Sequence, residues 1–114
     1  MPSAYQLASV AARNTEYAAC MELLFEWDAD KATNNWDKHK VSFEEGATVF
    51  HDLFVATMLD PDHSDDERRY IALGLSAKGR LLVVVYTERG DKTRLISCRK
   101  ATPIERKAYE ESNA

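Results

Sequence analysis

"RRYIALGLSAKGRLLVVVYTERGDKTRLISCR", residues Arg68 to Arg99, is the stretch whose reading decides the fold. Three apolar, β-branched runs are separated by two short polar turns, the pattern of strands joined as hairpins. RRYIALGL reads as one strand, and Ala77-Lys78-Gly79 supplies the turn that follows it. RLLVVVYTE is apolar on both faces, which predicts a place in the middle of a sheet. Arg89-Gly90-Asp91-Lys92 is a second hairpin turn, leading into TRLISCR.

The flanks complete the domain. Thr102-Pro103-Ile104-Glu105 carries three agreeing helix-start signals: a threonine N-cap, proline in the first turn and glutamate at the third position. On the N-terminal side, FVATML reads as another strand, separated from Arg68 by the polar loop DPDHSDDE. LLFEWD alternates as a first strand, and Asp28 is a natural N-cap for a helix over Ala29–His39. Ala32, Asn35, Trp36 and His39 share one stripe of that helix. In VSFEEGATVF, Ser42 and Glu45 have capping-box spacing, with Phe43, Ala47 and Phe50 as the buried face. The order β-α-α-β-β-β-β-α predicts an α+β fold, an antiparallel meander with helices packed on one face.

Composition agrees with one domain. The 114 residues are 45% hydrophobic and 30% charged, ordinary for a folded globular chain. The longest apolar run, Leu81 to Tyr86, is too short to cross a bilayer, so no membrane role is expected. Met1 to Leu24 lacks a basic start followed by a pure apolar core, so a cytoplasmic protein without a signal peptide is expected. Cys20 and Cys98 are too few for a disulfide framework and have no zinc spacing. Residues 1–20 are loosely patterned and read as an extension to a domain over 21–114. Met21 directly precedes the first well-patterned segment and marks an alternative start.

The net charge of −4 hides a division of charge. Met1 to Glu67 holds four Lys/Arg against 14 Asp/Glu, whereas Arg68 to Ala114 holds eleven against five. In a meander, Lys78, Arg80, Arg99 and Lys100 gather on one rim, and Arg68, Arg69, Arg89, Lys92 and Arg94 on the other. With only three helices to cover two faces, one face is expected to stay partly open between these rims. That arrangement suits a polyanion, whose phosphates pair with the cations and release counterions. Seven of the eleven cations are Arg, whose planar fork grips phosphate through two parallel hydrogen bonds.

Catalytic constellations are scarce. No glycine-rich phosphate loop, His-Glu-x-x-His helix or Gly-x-Ser-x-Gly elbow occurs. Asp60, Asp62, Asp65, Asp66 and Glu67 with His63 match no EF-hand spacing and read as a solvated loop. His39, between Lys38 and Lys40, is a candidate proton-transfer group or simply a histidine closing a helix. His51 reads as a helix-end residue, and Glu88 as the ion-pair partner of Arg89.

Taken together, FEWDADKATNNWDKHKVSFEEGATVF and the stretch from Asp60 to Glu111 resemble the BrnT family of toxins from bacterial type II toxin–antitoxin modules. The resemblance spans about Phe25 to Glu111. It implies a RelE/ParE-like fold and an RNA-cleaving toxin. It also implies neutralisation by a BrnA-type antitoxin, through which alone the toxin would reach operator DNA. Four positions depart from the family pattern. Lys40 stands where glycine is usual, Trp36 and Asp37 replace a leucine and a basic residue, and Ala29 stands where proline is frequent.

The resemblance and the basic rims together lead to a metal-independent endoribonuclease needing no cofactor. In it the RNA's own 2′-hydroxyl attacks the adjacent phosphorus. Arg69, Arg80 and Arg99 are the expected phosphate-stabilising, catalytic set, because fixed guanidinium groups suit charge building on phosphoryl oxygens. Lys38, His39, Arg89, Arg94 and Lys100 are expected to contact RNA or move protons. The alternatives are a catalytically inactive homologue acting as co-repressor with its antitoxin, or inhibition of another target such as gyrase.

Overall fold

The elements form in the order the patterning predicts. The structure, a computed structural model, describes residues 24–61 and 68–113. They comprise β1 (Leu24–Glu26), α1 (Ala29–His39), α2 (Phe43–Thr48), a 3₁₀ turn (Val49–His51), β2 (Ala56–Leu59), β3 (Arg69–Leu75), β4 (Leu81–Arg89), β5 (Lys92–Lys100) and α3 (Pro103–Ser112). The expected N-terminal extension, with Cys20 and Met21, and most of the acidic loop lie outside the described residues.

Local chemistry fixes the helix ends. Asp28 Oδ1 accepts from the amides of Asp30 (2.8 Å) and Lys31 (3.2 Å), satisfying two orphan donors of α1. At its other end Lys40 takes the left-handed conformation, φ 57°, and its N–H donates to Trp36 O. The Thr102–Glu105 capping box of α3 is complete. That of α2 is half made: Ser42 Oγ accepts from the Glu45 amide at 3.0 Å, but the Glu45 carboxylate turns away. It goes to Arg80 and the Ser76 hydroxyl, because a guanidinium is a stronger donor than one backbone amide.

The sheet order is β1-β5-β4-β3-β2, with β4 central as its two-sided apolar pattern predicts. Strands β2 to β5 form the expected antiparallel meander. β1 departs from it, running parallel to β5 with Phe25 beside Thr93. No hairpin links these two strands, and everything between them serves as the long crossover that parallel neighbours need.

The helices also depart from the expected single layer. α1 and α2 cover one face, burying Phe25, Phe43, Ala47, Leu82, Val84, Leu95 and Cys98. α3 lies on the opposite face, where Tyr109 packs with Leu73, Leu81 and Val83. The run Leu81–Val85 exposes apolar side chains on both sides of β4, so both need cover.

Two irregularities shape the β5 edge. β1 pairs only with Lys92–Arg94, and Asn35 of α1 takes over beyond it. Its side chain accepts from Cys98 N (3.0 Å) and donates to Cys98 O and Val41 O (2.9 Å each), imitating a strand partner. β5 also carries an extra residue. Val85 faces Ser97 and Tyr86 faces Leu95, leaving Ile96 as a bulge. No helix among the described residues is long and apolar enough to cross a membrane.

Candidate nucleic-acid interface

Strand register determines where each cation lands. Leu75 pairs with Leu81 and Leu82 with Lys100, so the β3–β4 turn and the end of β5 share a rim with Lys78, Arg80, Arg99 and Lys100. At the other rim Arg69 faces Thr87, Thr87 faces Arg94 and Arg94 faces Glu26. Cross-strand partners share a face, so Arg69 and Arg94 point to the same side, two strand spacings or about 10 Å apart.

That side is the α3 face. The helix packs on its Leu73–Leu81–Val83 end with Ile71 at the margin, and among the described residues no element covers the rest of the next row, Met58–Ile71–Val85–Ser97. Met58 is 56% exposed and the other three are half-buried. The result is an open strip of sheet with Arg69 and Arg94 on one border and Arg99 on the other.

The three arginines of the expected catalytic set do not meet. Arg69 and Arg99 share a face, but on β3 and β5 their register positions differ by four residues, roughly 16 Å between Cα atoms. Arg80 turns toward the α2 side. Its guanidinium clasps Glu45, with Nε to Oε2 at 2.9 Å and Nη2 on Oε1, and Nη2 also donates to Lys40 O at 3.3 Å. Glu45 is 4% exposed, and the Arg80 guanidinium holds its carboxyl below the usual range. Arg99 is gripped too, its two terminal nitrogens donating to the two Glu105 oxygens at 2.8 Å each. That fork, helped by the Thr102 amide, lowers the Glu105 carboxyl to about 2.

The second tier is distributed similarly. Arg94 donates to Glu26 at 2.8 Å, with Lys92 3.9 Å from the same carboxylate. Arg89 stands exposed where β4 meets the Gly90 turn, and Lys100 is exposed at the end of β5. Lys38 and His39 do come together, in a groove of about 290 Å³ between α1 and the β5 bulge. Lys31, Asn34, Asn35, Ile96 and Ser97 complete its lining.

Sequence reasoning missed Lys31, Asn34, Ile96 and Ser97. One signal was present: buried Leu95 and Cys98 are three residues apart instead of two, which marks a bulge. Cys98 itself is no nucleophile, since burial pushes its thiol far up. Among the described residues no group of three or more His, Cys, Asp or Glu could hold a metal ion.

A small α+β domain with an open sheet between basic borders presents a surface fit for a polyanion. The class follows from its sequence: residues 27–105 match a family of ribonuclease toxins of type II toxin–antitoxin systems. That family is BrnT, and the chain belongs to it. A toxin of such a system has an antitoxin as partner. The crystal structure of the Brucella abortus ribonuclease toxin BrnT shares the fold, with a TM-score of 0.50 and 23% identity. The match covers 67% of this chain and 92% of that one. No curated protein matches.

Proposed function

We propose that this chain is an endoribonuclease toxin that cuts RNA without a metal ion. The substrate strand lies across the open strip of the α3 face. Its 2′-hydroxyl gives up a proton and attacks the neighbouring phosphorus. The bond to the 5′-oxygen breaks, that oxygen takes a proton, and a 2′,3′-cyclic phosphate remains. Arg69 and Arg94 hold phosphate at one border, Arg99 at the other, and Arg89 and Lys100 extend the track. Their task is to stabilise the charge that builds on the phosphoryl oxygens. His39, with Lys38 beside it at the β5 edge, is the candidate proton-transfer group for a strand that continues from the open strip over that edge.

Arg80 stays in the scheme as a positioning residue. Through Glu45 and Lys40 O it fixes α2 and the end of α1, on which Lys38 and His39 stand. A BrnA-type antitoxin neutralises the toxin by covering this basic surface, and brings it to operator DNA.

The observation that carries the reading is the pair Arg69 and Arg94 facing one way across Thr87 beside an open sheet. The test is cleavage of end-labelled RNA in EDTA by the purified protein and by Arg69→Ala and Arg94→Ala. Cutting that survives EDTA, leaves cyclic phosphate ends and falls about 10- to 100-fold in each variant is the expected result. Variants that cut at the parental rate would overturn the phosphate assignment. Absence of cutting by the folded parent would favour the co-repressor reading, which the neutralisation of Arg80 and Arg99 by carboxylates also supports.

A further inference from the structure

The geometry points to a nucleobase pocket in the groove between α1 and the β5 bulge. It rests on the ribonuclease reading above and adds sequence preference to it. A bulge re-aims the side chains of its strand. Here Ile96 and Ser97 line the groove, while Leu95 and Cys98 on either side stay in the core. The opposite wall is α1, whose Lys31, Asn34 and Lys38 fall on one side at helical spacing. His39 closes the C-terminal end.

The chemistry of this lining differs from that of a simple phosphate site. Asn35 is committed to the backbone of Cys98 and Val41 and is not available to a ligand. Asn34 is exposed, and its carboxamide carries two donors and an acceptor. It complements the donor–acceptor edge of a nucleobase. Ile96 offers an apolar surface to the flat of the ring. Lys31 and Lys38 stand on the helix side for the flanking phosphates. Among the described residues no carboxylate lines the groove.

A phosphate alone would use only the cations, whereas this groove mixes apolar and hydrogen-bonding groups in a space that accommodates one nucleotide. Single-stranded RNA is read in just this manner, by unstacked bases hydrogen-bonded along their edges. A second groove on the other side of α1, with Trp36 48% exposed, has the Glu44 carboxylate in its lining. It suits RNA less.

The test titrates the full ¹⁵N-labelled chain with AMP, GMP, CMP and UMP separately, and with inorganic phosphate. The expected result is movement of the Asn34 side-chain amide and of the Ile96 and Ser97 backbone amides. One nucleotide should bind about fivefold tighter than the weakest, as one selective hydrogen bond gives. Asn34→Ala should bring the four affinities within about twofold of each other. Equal affinities in the parent chain, the same shifts from phosphate alone, or shifts centred on Trp36 would each overturn the pocket. The titration needs no cutting. A selective groove in a protein that cleaves nothing would therefore count only against the catalytic reading. A silent groove in a protein that does cut would count only against this one.

Discussion

Arg80 and Glu45 form a clasp between the β3–β4 turn and α2: the guanidinium of an exposed hairpin closes over a carboxylate that is 4% exposed. Ser76 adds its hydroxyl at 2.7 Å, so the buried charge has donors on both oxygens. Removing the arginine leaves that charge nearly alone in the core, and such a loss costs more than the pair itself contributes. Arg80→Ala should lower stability by about 2–3 kcal/mol, given that a third of the arginine side chain faces water. Urea unfolding would show it as a lower midpoint with unchanged slope. An unchanged midpoint would mean that the clasp is dispensable. Toxicity losses in this variant then have to be judged at a temperature where it is folded.

Glu105 holds Arg99 and caps α3 at once, and that double role gives a pH signature. Its carboxyl titrates at about 2 when folded, against an ordinary 4.5. A depressed carboxylate stabilises the fold fully above the unfolded value and loses that contribution as pH falls toward the folded one. The folded protein should therefore weaken between about pH 4.5 and 2, and Glu105→Gln should flatten that limb of the thermal midpoint curve. The same variant uncovers the charge of Arg99 on the open face. At low salt it should bind single-stranded RNA more tightly than the parent, by a few-fold. Unaltered affinity would show that Arg99 lies off the RNA path.

Lys40 occupies a left-handed cap, φ 57°, that glycine adopts without a steric penalty. Its ammonium lies 5.9 Å from the Trp36 ring centre, at the outer limit of a cation–π contact and thus a weak compensation. Lys40→Gly should raise stability by about 0.5–1 kcal/mol, a few degrees in Tm. A fall would show that the Lys40–Trp36 contact outweighs the strain.

Much of this domain was legible in the sequence because its signals are local. The bounds of α1, the complete cap of α3 and both hairpin turns depend on neighbours within a few residues, and the two basic rims follow once those turns order the strands. What escaped depends on partners far along the chain. Glu45 has capping-box spacing, yet Arg80, 35 residues away, takes its carboxylate. Asn35 reads as one more residue of a helix stripe, yet it completes a sheet edge 63 residues on. Arg69, Arg80 and Arg99 look equivalent as cations, and only register and alternation send them to separate places. The cover of both faces was half visible, in a β4 run with apolar residues on either side.

Gly46 and Cys98 show the same long-range dependence within the core. Gly46 is buried in α2, and a Cβ placed there falls on Cys98 Sγ, well inside contact distance, with Cys98 Cβ at 3.4 Å and Val84 Cγ2 at 3.7 Å. The glycine is therefore present for space, not for backbone freedom, since its φ is not positive. In an exposed helix Gly→Ala would be favourable by about 1 kcal/mol through propensity. Here overpacking dominates, and Gly46→Ala should destabilise by about 1–3 kcal/mol. Cys98→Ala alone should also destabilise, by leaving a cavity where the sulfur was. The double variant should be more stable than the sum of the two losses allows, because the new methyl fills the space that the sulfur vacates. Denaturant midpoints of the four proteins give the coupling directly. Simple additivity would mean that α2 shifts to accept the methyl, and that the sulfur does not set the distance between helix and sheet.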